Sequence, residues 1–528
     1  MEGLNNIRQN TTNPTKNPNI MKAQKNDVAQ SIGIESAIEK FNEVQSNLRS
    51  PEYLDKTHSE VESYLATEGR EMLRRMLQEH IVKRGDGWAG EAIEGADRQN
   101  RDCKRLGTRH YYSSFGKVYV KRLGYKQAGV TSVFPLDGAM NLPNNCYSHR
   151  LQKRAAKALS GNSIRNSSSD IYDETGVNIG NRQLEEIASE ASLDFGSFYE
   201  SRVIDKGIDK KPICVLSFDG KGIVMRKEHL TEQTKKNAES ESHKLQKKLS
   251  KGEKKNRKRM ATVTAIYSID RNTRTPDEVA KQFQPIHVVK DKKPPKPVNK
   301  KVSASIETPM KTVIQKTFDE AIRRDPEQEQ ELVALVDGDH KQIDYIKKQA
   351  ATLGISIIII MDIIHVLEYV WKAARSFFAE DDRESEKWVG QKIEMILKGK
   401  TDAVIVDIFN KAVETKISKD KLRPIAKCLK YLSNHVEYLR YDQYLAKGYP
   451  IGTGIIEGTC RHLVRDRMEL TGARWSVKGA ESILKLRALR LNGDLDDYWA
   501  FHEKKEYERN HKTHARLKGL MERKIMTG

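Results

Sequence analysis

The sequence predicts a protein of several domains, with an α/β core that an all-helical insertion interrupts. Three apolar runs of strand length, at 213–218, 331–336 and 355–361, each lead directly to an aspartate. A helical pattern at 340–353 separates the last two runs, and helical patterns without strand patterns fill 363–447. At 528 residues the chain is too long for one ordinary core.

The N-terminal third is predicted to hold a tail, helices and a hairpin. Residues 1–34 are rich in Asn, Lys, Gln and Thr, which predicts a flexible tail. Within the region 35–147, a helical pattern extends to about residue 83, and alternation about Gly116 predicts a β-hairpin at 110–122. The basic and aromatic residues of this hairpin fit either a nucleic-acid contact or a solvated face.

Residues 148–205 are predicted to be helices separated by short turns. Helices at 152–159 and 162–175 precede a glycine-containing break, after which Asn181 caps a helix over 182–191. This is the layout of a helix-turn-helix, whose second helix, bearing Arg182, would enter the major groove of DNA. A plain helical hairpin between domains is the alternative.

The first part of the α/β core is assigned to 206–362. We expect the first strand to end in a tight turn at Asp219-Gly220. A basic insertion follows at 227–259, which is either a solvated, mobile arm or an arm that follows a phosphate backbone. The remaining predicted elements are strands at 260–269 and 285–289, a Lys/Pro-rich linker at 290–301, a helix at 306–324 and the strand before Asp337.

The second part of the core, at 448–499, follows the helical insertion 363–447 and precedes a basic tail at 500–528. A glycine-rich entry opens a helix that carries Glu457 in an early turn. Cationic side chains follow Glu457 and would contact phosphate, since the guanidinium fork suits that group. They are Arg461, Arg465, Arg467 and Arg474.

Composition indicates an anionic macromolecular partner. Lys and Arg total 93 against 73 acidic residues, a formal net charge of +20, which favours DNA or RNA binding. The five cysteines form no C-x-x-C pair, and Cys146 with His149 lacks a second ligand pair for zinc. No secretory signal or membrane-spanning run is evident, so we expect a cytoplasmic, nucleoid-associated protein without a membrane partner.

Three carboxylates carry the predicted chemistry. Asp219 and Asp337 follow strands and Glu457 lies on a helix. Hard oxygen ligands at a sheet edge suit Mg²⁺ or Mn²⁺, and two such ions can activate an attacking oxygen and stabilise a leaving one. Asp339 is a rival for Asp337, which we prefer because it directly ends the apolar run.

These motifs resemble the bacterial insertion-sequence DDE transposases of the ISKra group, which are related in layout to the Mutator and hAT transposases. The resemblance covers roughly residues 211–499. It is carried by Leu-Ser-Phe-Asp219-Gly-Lys-Gly, Ala-Leu-Val-Asp337-Gly, Asp362-Ile-Ile-His365-Val-Leu-Glu-Tyr-Val-Trp, and Pro-Ile-Gly-Thr-Gly-Ile-Ile-Glu457-Gly through Arg-Trp475. Many relatives carry cysteines near the position of Tyr125, and this chain does not, so we expect no zinc ribbon.

The resemblance implies an RNase H-like core with Asp219, Asp337 and Glu457 as the metal-binding DDE triad. Asp362 and His365 would be auxiliary, orienting the scissile phosphate or a flipped nucleotide. Trp475 would stack on an extruded base, and a core tryptophan is the alternative.

The resulting hypothesis is a DNA transposase that binds the terminal inverted repeats of its element. It would cut a strand at the element end and join the freed 3′-OH to target DNA, acting as a homodimer or larger synaptic assembly. The alternatives are an RNase H-like nuclease or resolvase without strand transfer, and a domesticated, non-catalytic DNA-binding protein.

Overall fold

The structure is a computed structural model that describes residues 36–95, 97–202, 211–240, 257–283, 294–379, 382–415, 417–470 and 472–511. The chain divides into two compact units. Unit 1 comprises Met1–Ala155, Arg165–Gln183 and Ala500–Gly528, and unit 2 comprises Ala156–Ile164 and Leu184–Trp499. The predicted tail at 1–34, the strand predicted at 285–289, and residues 241–256 of the basic insertion lie outside the described residues.

Unit 1 begins with the helices that the sequence predicts before residue 83. They are α1 (Ala37–Leu48), α2 (Pro51–Leu54) and α3 (His58–Lys83). Ser36 and Thr57 cap α1 and α3, each with a glutamate three residues later that bonds back to the cap. These capping boxes satisfy amides that the first helical turn would otherwise leave without partners.

The predicted hairpin is present in unit 1 and is longer than expected. The strands are β1 (Ile93–Glu94), β2 (Asn100–Arg101), β3 (Cys103–Ser113), β4 (Gly116–Gln127) and β5 (Val130–Val133), and β3, β4 and β5 form an antiparallel sheet. Gly116 has a φ of +122°, which a glycine adopts without strain. Helix α4 (Pro135–Ala139) carries buried Asp137, which pairs with Arg109 and Arg122 of the hairpin. These two cations are therefore already paired within the unit.

Residues 149–201 are helical, as predicted. The helices are α5 (His149–Gly161), α6 (Ile164–Thr175), α7 (Asn181–Glu190) and α8 (Phe195–Ser201). The helix spans expected of a helix-turn-helix are thus confirmed within a few residues, while DNA contact by α7 stays a prediction.

The described part of unit 2 contains a five-stranded mixed sheet. Its strands are β6 (Ile213–Val224), β7 (Lys258–Ile269), β8 (Val298–Ser305), β9 (Glu331–Val336) and β10 (Ile357–Met361), in the order β10-β9-β6-β7-β8. The strands β6, β7 and β8 form an antiparallel meander, while β9 and β10 run parallel to β6. The mixed α/β class predicted from the sequence is confirmed at this level.

The Lys/Pro-rich linker predicted at 290–301 is wrong over its last residues. Residues 298–301 are the N-terminal half of strand β8. Val302 and Ala304 alternate inward, whereas Lys301 pairs with Glu320 at 2.8 Å. The prediction failed because a lysine-rich edge strand resembles a linker when its ionic partner is distant in sequence.

Helices complete unit 2. Those described between the strands are α9 (Glu232–Glu239), α10 (Pro276–Lys281), α11 (Met310–Arg324) and α12 (His340–Leu353). The insertion is helical as predicted, with α13 (Ile363–Phe377), α14 (Arg383–Leu397), α15 (Thr401–Glu414), α16 (Lys419–His435) and α17 (Tyr441–Ala446). Its apolar faces join the core of the sheet in one buried cluster.

The chain then returns to the sheet through a short irregular helix. The elements are α18 (Gly454–Thr459), a π-helical stretch (Cys460–Arg465), α19 (Asp466–Met468), α20 (Val477–Asn492) and α21 (Leu495–His511). Helix α18 contacts β6 and β7, and α20 lies along β8. Over the described ranges, we find no helix with both the length and the apolar character that a membrane crossing needs.

Candidate active site

Asp219 lies inside strand β6, so the prediction that the strand ends there in a tight turn was wrong. Strand β6 continues to Val224, with Asp219 opposite Val263 and Gly222 opposite Met260 of β7. A Cβ at Gly222 would come within 2.8 Å of the Lys258 side chain, so glycine permits close cross-strand packing here. The Asp-Gly pattern reflects this packing instead of a chain reversal.

Asp337 follows the neighbouring parallel strand at the level of Asp219. The β6–β9 pairing runs in register to Ser217 opposite Leu335, and both aspartates lie two residues further on. Burial raises the pKa of Asp337, and the negative charge of Asp219 raises it further, against a hydrogen bond from the Asp339 amide. The two carboxylates are therefore electrostatically coupled neighbours.

Asp339, the rival for Asp337, has a different task. Its side chain is exposed and accepts a hydrogen bond from the Lys341 amide at 2.9 Å, which caps helix α12. A carboxylate that caps a helix satisfies one of the unpaired amides of the first turn. This arrangement favours Asp337 as the member of the site.

Glu457 lies in the first turn of α18, the helix that contacts β6 and β7. Its amide donates to the Thr453 carbonyl at 3.0 Å, which closes that turn. The pKa of the Glu457 carboxyl is raised, and burial is the largest cause. The negative charges of Asp362, Glu368 and Asp219 raise this pKa further, whereas the charge of His365 lowers it. The fold thus brings Glu457 into the electrostatic neighbourhood of Asp219 across more than two hundred residues of sequence.

Asp362 and His365 form a close pair at the start of helix α13. The Asp362 side chain is fully buried, and its Oδ2 lies 2.9 Å from His365 Nδ1. This hydrogen bond is the main cause that raises the pKa of His365 to about 9. At neutral pH the imidazole is therefore protonated and places a positive charge among the carboxylates.

Two neighbours of these residues escaped the sequence prediction. The Cys460 thiol donates to Asp219 Oδ2 at 2.9 Å, and the Thr453 amide and hydroxyl both donate to Asp362. Cys460 follows Glu457 by three residues, about one helical turn, and this spacing is the sequence signal that could have placed it on the same helix face as Glu457. Thr453 stands between two glycines, and no sequence signal marked its side chain.

The predicted DNA-contacting side chains fall into two groups. Arg182, Arg461, Arg465 and Arg474 are exposed. Arg467 and Trp475 are buried: Arg467 Nε donates to the Leu159 carbonyl at 3.2 Å, and Trp475 Nε1 donates to the Met468 carbonyl at 3.1 Å. The Arg467 guanidinium also lies 4.8 Å from the centre of the Trp475 ring.

The environment of Trp475 favours the alternative of a core tryptophan. Its backbone bonds to Val224 and Arg226 and so continues the edge of β6. Base stacking by Trp475, or phosphate binding by Arg467, would require these side chains to leave their internal partners.

Within the described residues, no group of three or more His, Cys, Asp or Glu side chains is arranged as a metal site. The chemistry of the side chains nevertheless suits a hard cation, because Asp219, Asp337 and Glu457 offer carboxylate oxygens as ligands. Burial raises the pKa of the Asp337 and Glu457 carboxyl groups, and a bound cation would favour their ionised forms. The metal role of the three residues stays a prediction.

Comparison with known proteins adds no assignment. The chain matches no protein-family model and no curated protein sequence. The resemblance to the DDE transposases therefore stays a prediction from the sequence motifs.

Proposed function

We propose that this protein is a DNA transposase of the DDE type with an RNase H-like core. The observation that carries the proposal is the placement of three acidic residues: Asp219 on β6, Asp337 directly after β9, and Glu457 on α18, which contacts β6. The sheet order, with the helical insertion between β10 and the Glu457 helix, agrees with the arrangement that the sequence resemblance implies.

Asp219, Asp337 and Glu457 would hold Mg²⁺ or Mn²⁺ through their carboxylate oxygens. A bound pair of such ions would supply an activated oxygen nucleophile and charge stabilisation for in-line displacement at phosphorus. Because the negative charge of Asp219 helps to disfavour the ionised forms of both Asp337 and Glu457, a bound cation would relieve unfavourable charge among these carboxylates.

The other side chains would bind and orient DNA. His365, with a pKa raised to about 9, would present a cation to the phosphodiester beside the carboxylates. Arg461, Arg465 and Arg474 are exposed on the segment after Glu457 and would neutralise backbone phosphates. Arg465 would exchange its ion pair with Glu469, at 3.2 Å, for such a phosphate. Two element ends must be joined, so the working assembly would be a dimer or larger.

The test is metal-dependent cutting of DNA that carries the ends of the element. Purified full-length protein is incubated with labelled end DNA, a target plasmid, and Mg²⁺ or Mn²⁺, and the products are resolved for nicking and joining. We expect nicks at the element boundary and transfer of the cut 3′ end to the plasmid.

A pair of matched variants checks the assignment. Asp219→Asn should abolish cutting and leave end binding intact, whereas Asp344→Asn, the same change at an exposed position on α12, should cut like the wild type. Nicking without joining would instead establish a nuclease, and specific binding without any cut would establish a non-catalytic DNA-binding protein.

A further inference from the structure

The Asp362 carboxylate is fully buried and receives several hydrogen bonds. Its Oδ1 accepts from the Ile364 amide at 3.1 Å and from the Thr453 amide at 3.2 Å. Its Oδ2 accepts from His365 Nδ1 at 2.9 Å and from the Thr453 hydroxyl. A buried carboxylate needs such donors to remain ionised, and here they come from two separate segments of the chain.

Thr453 connects this carboxylate to Glu457. It immediately precedes α18, and its carbonyl accepts the Glu457 amide at 3.0 Å. A second backbone bond joins the same segments, from the Ile363 amide to the Ile451 carbonyl at 2.9 Å. A short path of hydrogen bonds therefore runs from the end of β10 through Asp362 and Thr453 to the backbone of Glu457.

The segment that leads into the Glu457 helix has few restraints of its own. Helix α18 has six residues and passes directly into a π-helical stretch, where the regular pattern of helical hydrogen bonds is interrupted. Gly452 and Gly454 flank Thr453, and glycine restrains the backbone less than any other residue. The bond to Asp362 therefore restrains the start of the Glu457 helix, and it adds to the contacts of α18 with β6 and β7 and to the hydrogen bond of Cys460 to Asp219.

We propose that Asp362 is a positioning residue whose buried carboxylate fixes Thr453 and His365, and thereby holds Glu457 and the imidazole beside Asp219 and Asp337. This inference rests on the proposed function. It gives Asp362 a different task from the one expected from the sequence, because its oxygens serve internal donors in place of DNA.

The experiment removes the Thr453 hydroxyl and keeps the shape of the side chain. Thr453→Val deletes the donor to Asp362, and Thr453→Ser retains it. Thr459→Val is the matched control, because the Thr459 hydroxyl lies on the same helix and bonds only locally, to the Ile455 carbonyl at 2.8 Å. All variants are made in the full chain.

Two measurements are taken on each variant. Hydrogen exchange of residues 454–459, followed by mass spectrometry, reports how firmly the helix is held. The Mn²⁺ concentration that gives half-maximal DNA cutting reports the placement of the Glu457 carboxylate. For Thr453→Val we expect exchange and half-saturating Mn²⁺ each to rise roughly tenfold, the usual consequence of losing a hydrogen bond to a charged group.

Thr453→Ser and Thr459→Val should remain within about twofold of the wild type by both measurements. Unchanged exchange in Thr453→Val would overturn the proposed anchor. Faster exchange with unchanged Mn²⁺ dependence would mean that the Thr453–Asp362 hydrogen bond stabilises the helix without placing the Glu457 carboxylate, and it would overturn the positioning role.

Failure of the proposed function has a different signature. Wild-type protein that neither binds Mn²⁺ nor cuts DNA would refute the transposase assignment and the catalytic purpose of the anchor. The exchange of residues 454–459 in Thr453→Val would then still decide whether Asp362 holds the helix.

Discussion

The close pair of Asp362 and His365 predicts that the stability of unit 2 depends on pH in the alkaline range. The Asp362 side chain is fully buried and that of His365 is 30% exposed, and their nearest side-chain atoms lie 2.9 Å apart. The Asp362 hydrogen bond raises the pKa of His365 from 6.5 to about 9, and the charges of Asp362, Asp337 and Glu368 contribute in the same direction.

The size of the effect follows from this pKa. A rise from 6.5 to about 9 corresponds to about 3 kcal/mol of folding free energy, which solvent screening of the partly exposed ring reduces to about 2 kcal/mol. Because the folded protein binds the proton more tightly than the unfolded chain, this stabilisation is fully present below pH 6.5. It is lost as the pH rises through about 9.

The assay compares wild type with His365→Gln in urea unfolding at pH 6 and at pH 10. The substitution lowers the free energy of unfolding at pH 6, and we expect this loss to be about 2 kcal/mol larger than the loss at pH 10. His462→Gln is the matched control, because His462 pairs with Asp466 at the same 2.9 Å but with both side chains about half exposed. That exposed pair should contribute less than about 1 kcal/mol at either pH.

Wild type and His365→Gln that differ by the same free energy of unfolding at both pH values would refute a proton held on His365 by Asp362. A direct titration of the imidazole by NMR, with the signal assigned through the variant, provides a second test. A midpoint near 6.5 would mean that Asp362 does not hold the proton on His365.

Three further predictions concern the segment after β9. Asp337→Asn should raise the free energy of unfolding at pH 8 without divalent ions, since burial disfavours the ionised carboxyl, and urea titration should show this gain vanishing below the ordinary aspartate pKa of about 4. Gly338→Ala should lower the free energy of unfolding by more than about 2 kcal/mol in the same assay, because φ is +101° and the new Cβ would lie 2.8 Å from the Tyr431 ring. Gly354→Ala is the comparison variant, with a φ of +66° and open space around the new Cβ, and it should cost about 1 kcal/mol. Asp339→Ala should cost about 1 kcal/mol through the lost cap and leave DNA cutting intact, whereas loss of cutting would make Asp339 the site residue.

Local patterns were sufficient to predict most elements of the fold. Apolar runs located β7, β9 and β10, helical periodicity located α12 nearly to the residue, and the absence of strand patterns identified the helical insertion. These features depend on neighbours a few residues apart, which the sequence displays directly.

The errors arose where a distant partner determines the local conformation. Strand β6 continues through Asp219 and two glycines because it pairs with β7 over that length. Strand β8 forms from a lysine-rich segment in which Lys301 pairs with Glu320. Sequence reading assigned a turn to the first segment and a linker to the second, since neither partner is near in the chain.

The sequence by itself determined the identities of the acidic residues, the strands that lead directly to Asp337 and Asp362, and the helix that carries Glu457. Only the tertiary structure decided that Asp219 and Asp337 share one register level, that Asp362 serves the Thr453 segment, and that Arg467 and Trp475 are internal. The physical reason is that hydrogen bonding and burial of a side chain depend on groups brought close by folding, and spacing along the chain does not specify them.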